Sequence, residues 1–362
     1  VGPATVLGFL AAASAIPLPL VATWFATGAG RCAQGLCWIA RLGELLPGAA
    51  ISWPAGWVAL LVVTAGCVGA VLVLPRLLRN PWLAAAAALL IVLSLLRPVA
   101  RPGWPPPDWA VVFCDVGQGD ATLLRVAPRA AAVVDAGPDP SKLATCLRDL
   151  GVEQVPLAVL THFHADHVTG IGVAIQGHHT ERVIVSAATS PVGGRQLVEQ
   201  AAAGVGLTQA TPGTVLVVGE LTVEVLAVRA GGGTVSVEEG ESAAENDGSL
   251  VMRATIAGLR LLLAGDVEED GQRNAVASGA DLSTDVLLVP HHGSGRQLPE
   301  FLAATRASIA VFSVGLDNDY GHPAPRTQRA VEQLGMRILR TDQQGSIALS
   351  RNEGGVQVTT QK

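Results

Sequence analysis

Residues 162–167 read His-Phe-His-Ala-Asp-His. Four of these six side chains are ligand types, and imidazole together with carboxylate suits Zn²⁺, Mn²⁺ or iron. The spacing divides the work. Residues i and i+2 of an extended chain point the same way, so His162 and His164 can hold one ion as a strand ends. Asp166 and His167 fall at the start of a helix and can turn towards a second ion. Asp266 follows the all-apolar end of another run and is read as a bridging carboxylate. His291 and His292 follow a third run. One of them ligates metal and the other protonates a leaving group, and the sequence leaves open which. His322 is a further ligand candidate. Asp166 can also accept a proton from an attacking water. Asp135 is read as orienting a ligand histidine from behind. His178 and His179 sit in a polar loop and are read as surface residues.

These residues need a scaffold that gathers strand ends. Runs 109–114, 130–134, 155–160, 259–263, 285–289 and 308–314 are β-rich, and each is followed at once or shortly by polar residues. Sites at the carboxyl ends of strands are the habit of layered α/β folds. Helices are expected at 141–150, about 195–203 and 324–334. The Gly/Ser/Glu-rich stretch 230–247 is expected to be a mobile loop.

The first 107 residues are a different material. They hold six Arg and one acidic residue, Glu44, for a net charge of +5. That leaves 18 basic and 29 acidic residues in 108–362, a net of −11. A chain that is 49% hydrophobic, 15% charged and has mean hydropathy +0.42 is not disordered, and its division excludes one uniform soluble domain. The acidic part is not a broadly basic nucleic-acid binder. Uncharged runs 3–27, 45–75 and 81–96 predict transmembrane helices over 1–96, at 3–27 (kinked by Pro17 and Pro19), 57–75 and 82–96. Segment 36–46 is expected to be a helix at the interface or a loop. Arg76 and Arg79 lie in the turn between the last two spans, which places that turn in the cytoplasm and the chain after residue 96 outside. The Pro-rich stretch 97–107 is a linker. No signal peptide is legible, and three spans without a charged preface look like the tail of a larger membrane domain. Five cysteines, none in a CxxC pair, predict no disulfide framework.

The ordered motifs DVGQGDA (115–121), VVDAG (133–137), THFHADHVTG (161–170), LLLAGD (261–266), VPHHGS (289–294) and YGHPAP (320–325) resemble the metallo-β-lactamase superfamily, and within it the C-terminal domain of the ComEC family of competence proteins. Residues 1–96 are similar to the last spans of that family's competence domain. The resemblance implies an αββα sandwich over 108–362 with one or two divalent ions, Zn²⁺ or Mn²⁺. It also implies partners: single-stranded DNA as substrate, membrane lipid, and other DNA-uptake components at the plasma or inner membrane. Many superfamily members carry a further histidine ligand before a Gly-Ser strand start. Here that place reads Glu245-Asn246-Asp247-Gly248-Ser249, so Asn246 or Asp247 ligates or supports, or the first site is weak.

The leading functional expectation is phosphodiester hydrolysis of the DNA strand that is not imported. Arg296 and Arg326 are then candidates for cations near the site that help to deliver the DNA. A small-molecule phosphoesterase or lactonase on the same fold is the second reading, favoured by the acidic surface and few aromatics. A non-catalytic, DNA-binding channel component is the third.

Overall fold

The computed structural model describes residues 2–15, 17–44, 57, 60, 61, 64, 65, 79–86, 89, 103–229, 242–316 and 318–362. The chain divides into two compact units, Val1–Arg101 and Pro102–Lys362.

In the first unit, α1 (Gly2–Ser14) and α2 (Pro19–Glu44) are separate helices that pack on one another. The expected span 3–27 is therefore broken. Pro17 and Pro19 lack the N–H a continuous helix needs, and Pro19 instead begins α2, where no donor is required. Gly28 of α2 lets the pair come close, since a Cβ there would lie 3.2 Å from Leu7 Cδ1. The expected segment 36–46 is part of α2 as far as Glu44. Among the described residues no helix is long and apolar enough to cross a membrane. The expected spans 57–75 and 82–96 fall mostly outside the described residues, as does 97–102 of the linker.

In the second unit the strands are β1 (Val111–Phe113), β2 (Thr122–Ala127), β3 (Ala130–Val134), β4 (Leu157–Leu160), β5 (Arg182–Val185), β6 (Leu207–Gln209), β7 (Val215–Val218), β8 (Leu221–Ala227), β9 (Val251–Ile256), β10 (Leu259–Leu263), β11 (Val286–Leu288), β12 (Ile309–Phe312), β13 (Arg337–Arg340), β14 (Ile347–Asn352) and β15 (Gly355–Thr360). Among the described residues they make two sheets. One is ordered β15-β14-β1-β2-β3-β4-β5-β6 and the other β13-β12-β11-β10-β9-β8-β7. The run β3 to β6 is parallel, as is β10 to β13.

Alternation along each strand builds the layers. Val111 and Phe113 of β1 enter a core shared with Leu221, Leu261, Val286 and Val311 of the opposite sheet. Val112 and Cys114 face the other way, into a second core with Leu143 and Leu147 of α3 (Pro140–Asp149). A third core covers the outer face of the second sheet, where Phe301 and Val331 pack against Leu287 and Ala310. Three cores between four layers make an αββα sandwich.

One sequence expectation is corrected. Cys114, on the outward face of the first sheet, is disulfide-bonded to Cys146 on the buried side of α3. The two are 32 residues apart, and only the packing of helix on sheet brings them together.

Candidate metal centre

The site lies where strands of both sheets end. After β4 the chain stays extended through Thr161–His164. His162 and His164 face the site, while Phe163 between them is fully buried in the helix-side core. The chain then turns into α4 (Ala165–Val168), whose first turn carries Asp166 and His167. Two glycine backbones press on this loop. A Cβ on Gly119 would lie 2.2 Å from the Asp166 carbonyl oxygen, and one on Gly194, in helix α6 (Val192–Ala201), 1.8 Å from that of Phe163. The label α5 belongs to Ile171–Gln176, between them in the chain.

Asp266 comes two residues after the Ala that follows β10 and is fully buried. Beyond β11, His291 and His292 both take left-handed backbone angles, φ 51° and 53°. Non-glycine residues rarely do so, and such strain collects at functional sites. The turn delivers both rings to the same space.

Distances define a centre. His167 Nε2 is 3.1 Å from Asp266 Oδ1 and 3.7 Å from Asp166 Oδ2. His292 Nε2 is 3.1 Å from Asp166 Oδ2 and 3.4 Å from Asp266 Oδ2. Asp166, His167, Asp266 and His292 each offer one ligand atom within 4.8 Å of the others, and so do His162, His164 and Asp166. His162 Nε2, His164 Nδ1, His167 Nε2, Asp166 Oδ1 and both Asp266 oxygens are buried with no hydrogen-bond partner among the described residues. Buried polar atoms are almost always satisfied, so a cluster of orphaned lone pairs fits divalent cations as the missing partner. The donor set of imidazoles and carboxylates fits the same ions.

Behind the inward-facing nitrogens the rings are braced. Asp135 accepts hydrogen bonds from Thr161 N (2.8 Å), Thr161 Oγ1 (2.8 Å) and His167 Nδ1 (2.9 Å). His292 Nδ1 lies 3.0 Å from the Ser313 carbonyl and 3.2 Å from Asp120 Oδ1. Thr161 Oγ1 is 3.2 Å from His162 Nδ1, and Glu245 Oε2 is 3.2 Å from His164 Nε2.

The electrostatics show a site built around positive charge. Burial, then the neighbouring His167, holds His162 well below the ordinary imidazole range. Burial opposes charge on His167 and His292 too, yet the carboxylate of Asp266, with Asp166 or Asp120, raises both well above it. Burial pushes Asp166 and Asp266 up, but His167 and His292 outweigh it and leave both carboxyls low.

The remaining expected residues fall as follows. His291 sits 3.9 Å from Asp266 by Nε2 and 3.3 Å from Glu268 by Nδ1, outside the two ligand groups. His322 is also outside them. It packs on the His291 ring at 5.4 Å between centroids and meets Gln118 at 3.5 Å. Asn246 Nδ2 donates to Glu268 Oε1 (3.3 Å). Asp247 Oδ1 accepts from Glu268 N and Gly271 N, both 2.9 Å, at the start of α8 (Glu269–Ala277); α7 is the turn Ala243–Asn246. Arg296 is held by Glu268 at 2.6 Å. His178 bonds the Val173 carbonyl away from the site. Asp120, Glu245 and Glu268 had no assigned role in the sequence reading. Asp120 lies in DVGQGDA and Glu245 in the stretch before Gly248-Ser249, whereas Glu268 carries no local signal.

A family model described as metallo-beta-lactamase superfamily matches residues 114–300. The chain is 30% identical over 200 residues to ComE operon protein 3 of Bacillus subtilis (strain 168), covering 54% of this chain and 25% of that protein. It is 29% identical over 333 residues to Competence protein ComA of Neisseria gonorrhoeae, covering 89% of this chain and 42% of that one. The chain thus spans a quarter to about two fifths of the curated relatives it matches. Among solved structures it is similar to Zn(2+)-bound PqqB from Methylobacterium extorquens, with 12% identity, TM-score 0.43, and coverage of 64% of this chain and 97% of that one.

Proposed function

The chain belongs to the metallo-beta-lactamase superfamily, and on that premise we propose that it is a membrane-anchored, metal-dependent phosphodiesterase of a DNA-uptake system. The observation that carries the hydrolase reading is the set of orphaned ligand atoms on His162, His164, Asp166, His167 and Asp266, with His292 in the same ligand group. His162 and His164 would hold one ion and His167, His292 and Asp266 the other, with Asp166 common to both groups. Bound divalent ions there supply an acidified water and positive charge for phosphoryl oxygens. The chain's own groups do the rest. Asp135, Asp120 and Thr161 fix the rings, Asp166 offers an oxygen to the proton of an attacking water, and His291, held by Glu268, protonates the leaving oxygen.

DNA as substrate is supported by the likeness to two competence proteins. Membrane anchoring is supported by large apolar side chains that the first unit turns outward. Phe9 is 73% exposed, Trp24 82% and Trp82 83%. The outer-face orientation gains support from the Cys114–Cys146 disulfide, because such bonds persist in oxidising compartments and are rare in the cytosol. One specific observation favours a smaller substrate. The net charge of −11 over 108–362 opposes a polyanion, and Arg296 is already tied to Glu268.

The test is cleavage of single-stranded DNA by the purified full chain with Mn²⁺ or Zn²⁺. Cleavage that disappears in His164→Ala and Asp266→Ala supports the nuclease. Cleavage of a small phosphodiester but not of DNA moves the assignment to the small-substrate reading. Protein that binds DNA without cleaving either ends the enzymatic reading.

A further inference from the structure

Each inward-facing imidazole has a partner on its other nitrogen. For His167 it is Asp135, for His292 it is Asp120 with the Ser313 carbonyl, and for His162 it is the Thr161 hydroxyl. His164 follows the same pattern through a residue 81 positions away. Its Nε2 lies 3.2 Å from Glu245 Oε2, and its Nδ1 is buried and without a hydrogen-bond partner among the described residues. Glu245 is itself held. It forms a capping box with Ser242, whose hydroxyl accepts Glu245 N while the Glu245 carboxylate faces Ser242 N. A neutral imidazole has one N–H and one lone pair, and the partner of one nitrogen decides which is which.

We propose that Glu245 is the positioning residue for His164: its carboxylate accepts the Nε2–H, fixes the tautomer with a lone pair on Nδ1, and aims that lone pair into the first metal position beside His162. Glu245 is then to His164 what Asp135 is to His167. The centre is braced by carboxylates from three separate segments of the chain, 115–120, 135 and 245. The first position then draws on His162, His164 and Asp166. This inference rests on the metal-binding reading, and its test separates the two.

Zn²⁺ alone is titrated into the full chain against a chromophoric chelator, for wild type, Glu245→Ala, Glu245→Gln and Ser242→Ala. Losing a partner behind a ligand histidine costs roughly 10–100-fold in affinity, so Glu245→Ala weakens one Zn²⁺ equivalent by that factor. Glu245→Gln keeps an acceptor oxygen for Nε2–H and stays within about threefold of wild type. Ser242→Ala loses only the cap and binds as wild type does. Unchanged binding in Glu245→Ala overturns the proposal. So does Glu245→Gln as weak as the alanine variant, which would make Glu245 a direct ligand. Equal weakening by Ser242→Ala overturns it in favour of a helix-cap effect. A wild type that binds no Zn²⁺ overturns the metal reading itself, and this proposal with it.

Discussion

Asp135→Asn changes one oxygen to nitrogen at the point where three donors converge. In the wild type, Oδ1 accepts the Thr161 amide, and Oδ2 accepts the Thr161 hydroxyl and His167 Nδ1–H. The Thr161 N–H can only donate, so the asparagine must give it the amide oxygen. Its NH₂ then faces His167 Nδ1, which has to become the acceptor. The ring proton moves to Nε2, the atom that points at Asp266 and Asp166. A protonated Nε2 offers no lone pair to a metal. The expected cost is roughly 10–100-fold in affinity for one of two ions, or about 1.4–2.7 kcal/mol. Asparagine is the right probe because Asp135 has φ 56°, a region asparagine adopts more readily than alanine. Burial raises the Asp135 carboxyl and His167 opposes that rise, so removing the charge leaves the buried His167 cation of the metal-free protein with one carboxylate fewer and should lower its melting temperature as well. Chelator competition measures the affinity and thermal unfolding in chelator measures the fold. Wild-type metal affinity in a folded Asp135→Asn protein would refute the tautomer argument.

Two further outcomes follow from the same structure. Cys146→Ser opens a loop of 32 residues and should cost about 3.7 kcal/mol, or roughly 7–15 °C of melting temperature, matched by reductant acting on wild type but absent when reductant acts on the variant. Burial raises the Glu268 carboxyl, but hydrogen bonds from His291, Arg296 and Asn246 overcome it and lower it from 4.5 to about 2. A depressed carboxyl stabilises the fold above its unfolded value, so this contribution is whole above pH 4.5 and is lost as pH falls towards 2. Glu268→Gln should therefore narrow its stability deficit over that window in acid titrations of metal-free protein. A deficit that stays constant with pH would count against the assignment.

The sequence was most readable where burial is complete on both faces. β3 spans 130–134 as expected, because its all-apolar run between two layers has no polar residue to blur its ends, and β10 spans 259–263 as expected with Arg260 turned to solvent. β7, β8, β14 and β15 were not foreseen. β8, β14 and β15 mix Thr, Glu, Gln or Ser with apolar residues and β7 is the short run VLVV, and each is defined by its partner across the sheet. The dense HxHxDH run was legible because all its donors come from one segment. Glu245 was not, since it meets His164 only after the two sheets pack, and Glu268 meets His291 only once β10 and β11 pair. Cys114 and Cys146 meet only when α3 packs on the first sheet. In the first unit, counting uncharged residues from 3 to 27 overlooked that two prolines two apart end a helix rather than bend it.

The tight approach of Gly119 and Gly194 to the ligand loop has a consequence for how this centre can fail. Neither residue has a functional group, yet a single methyl at either would collide with the backbone that carries Asp166 or Phe163. Harmful substitutions are thus not confined to residues that bind or react. A variant with every histidine and aspartate intact can still have its ligands displaced from behind. A survey of ligand-type residues alone would count such a chain as competent.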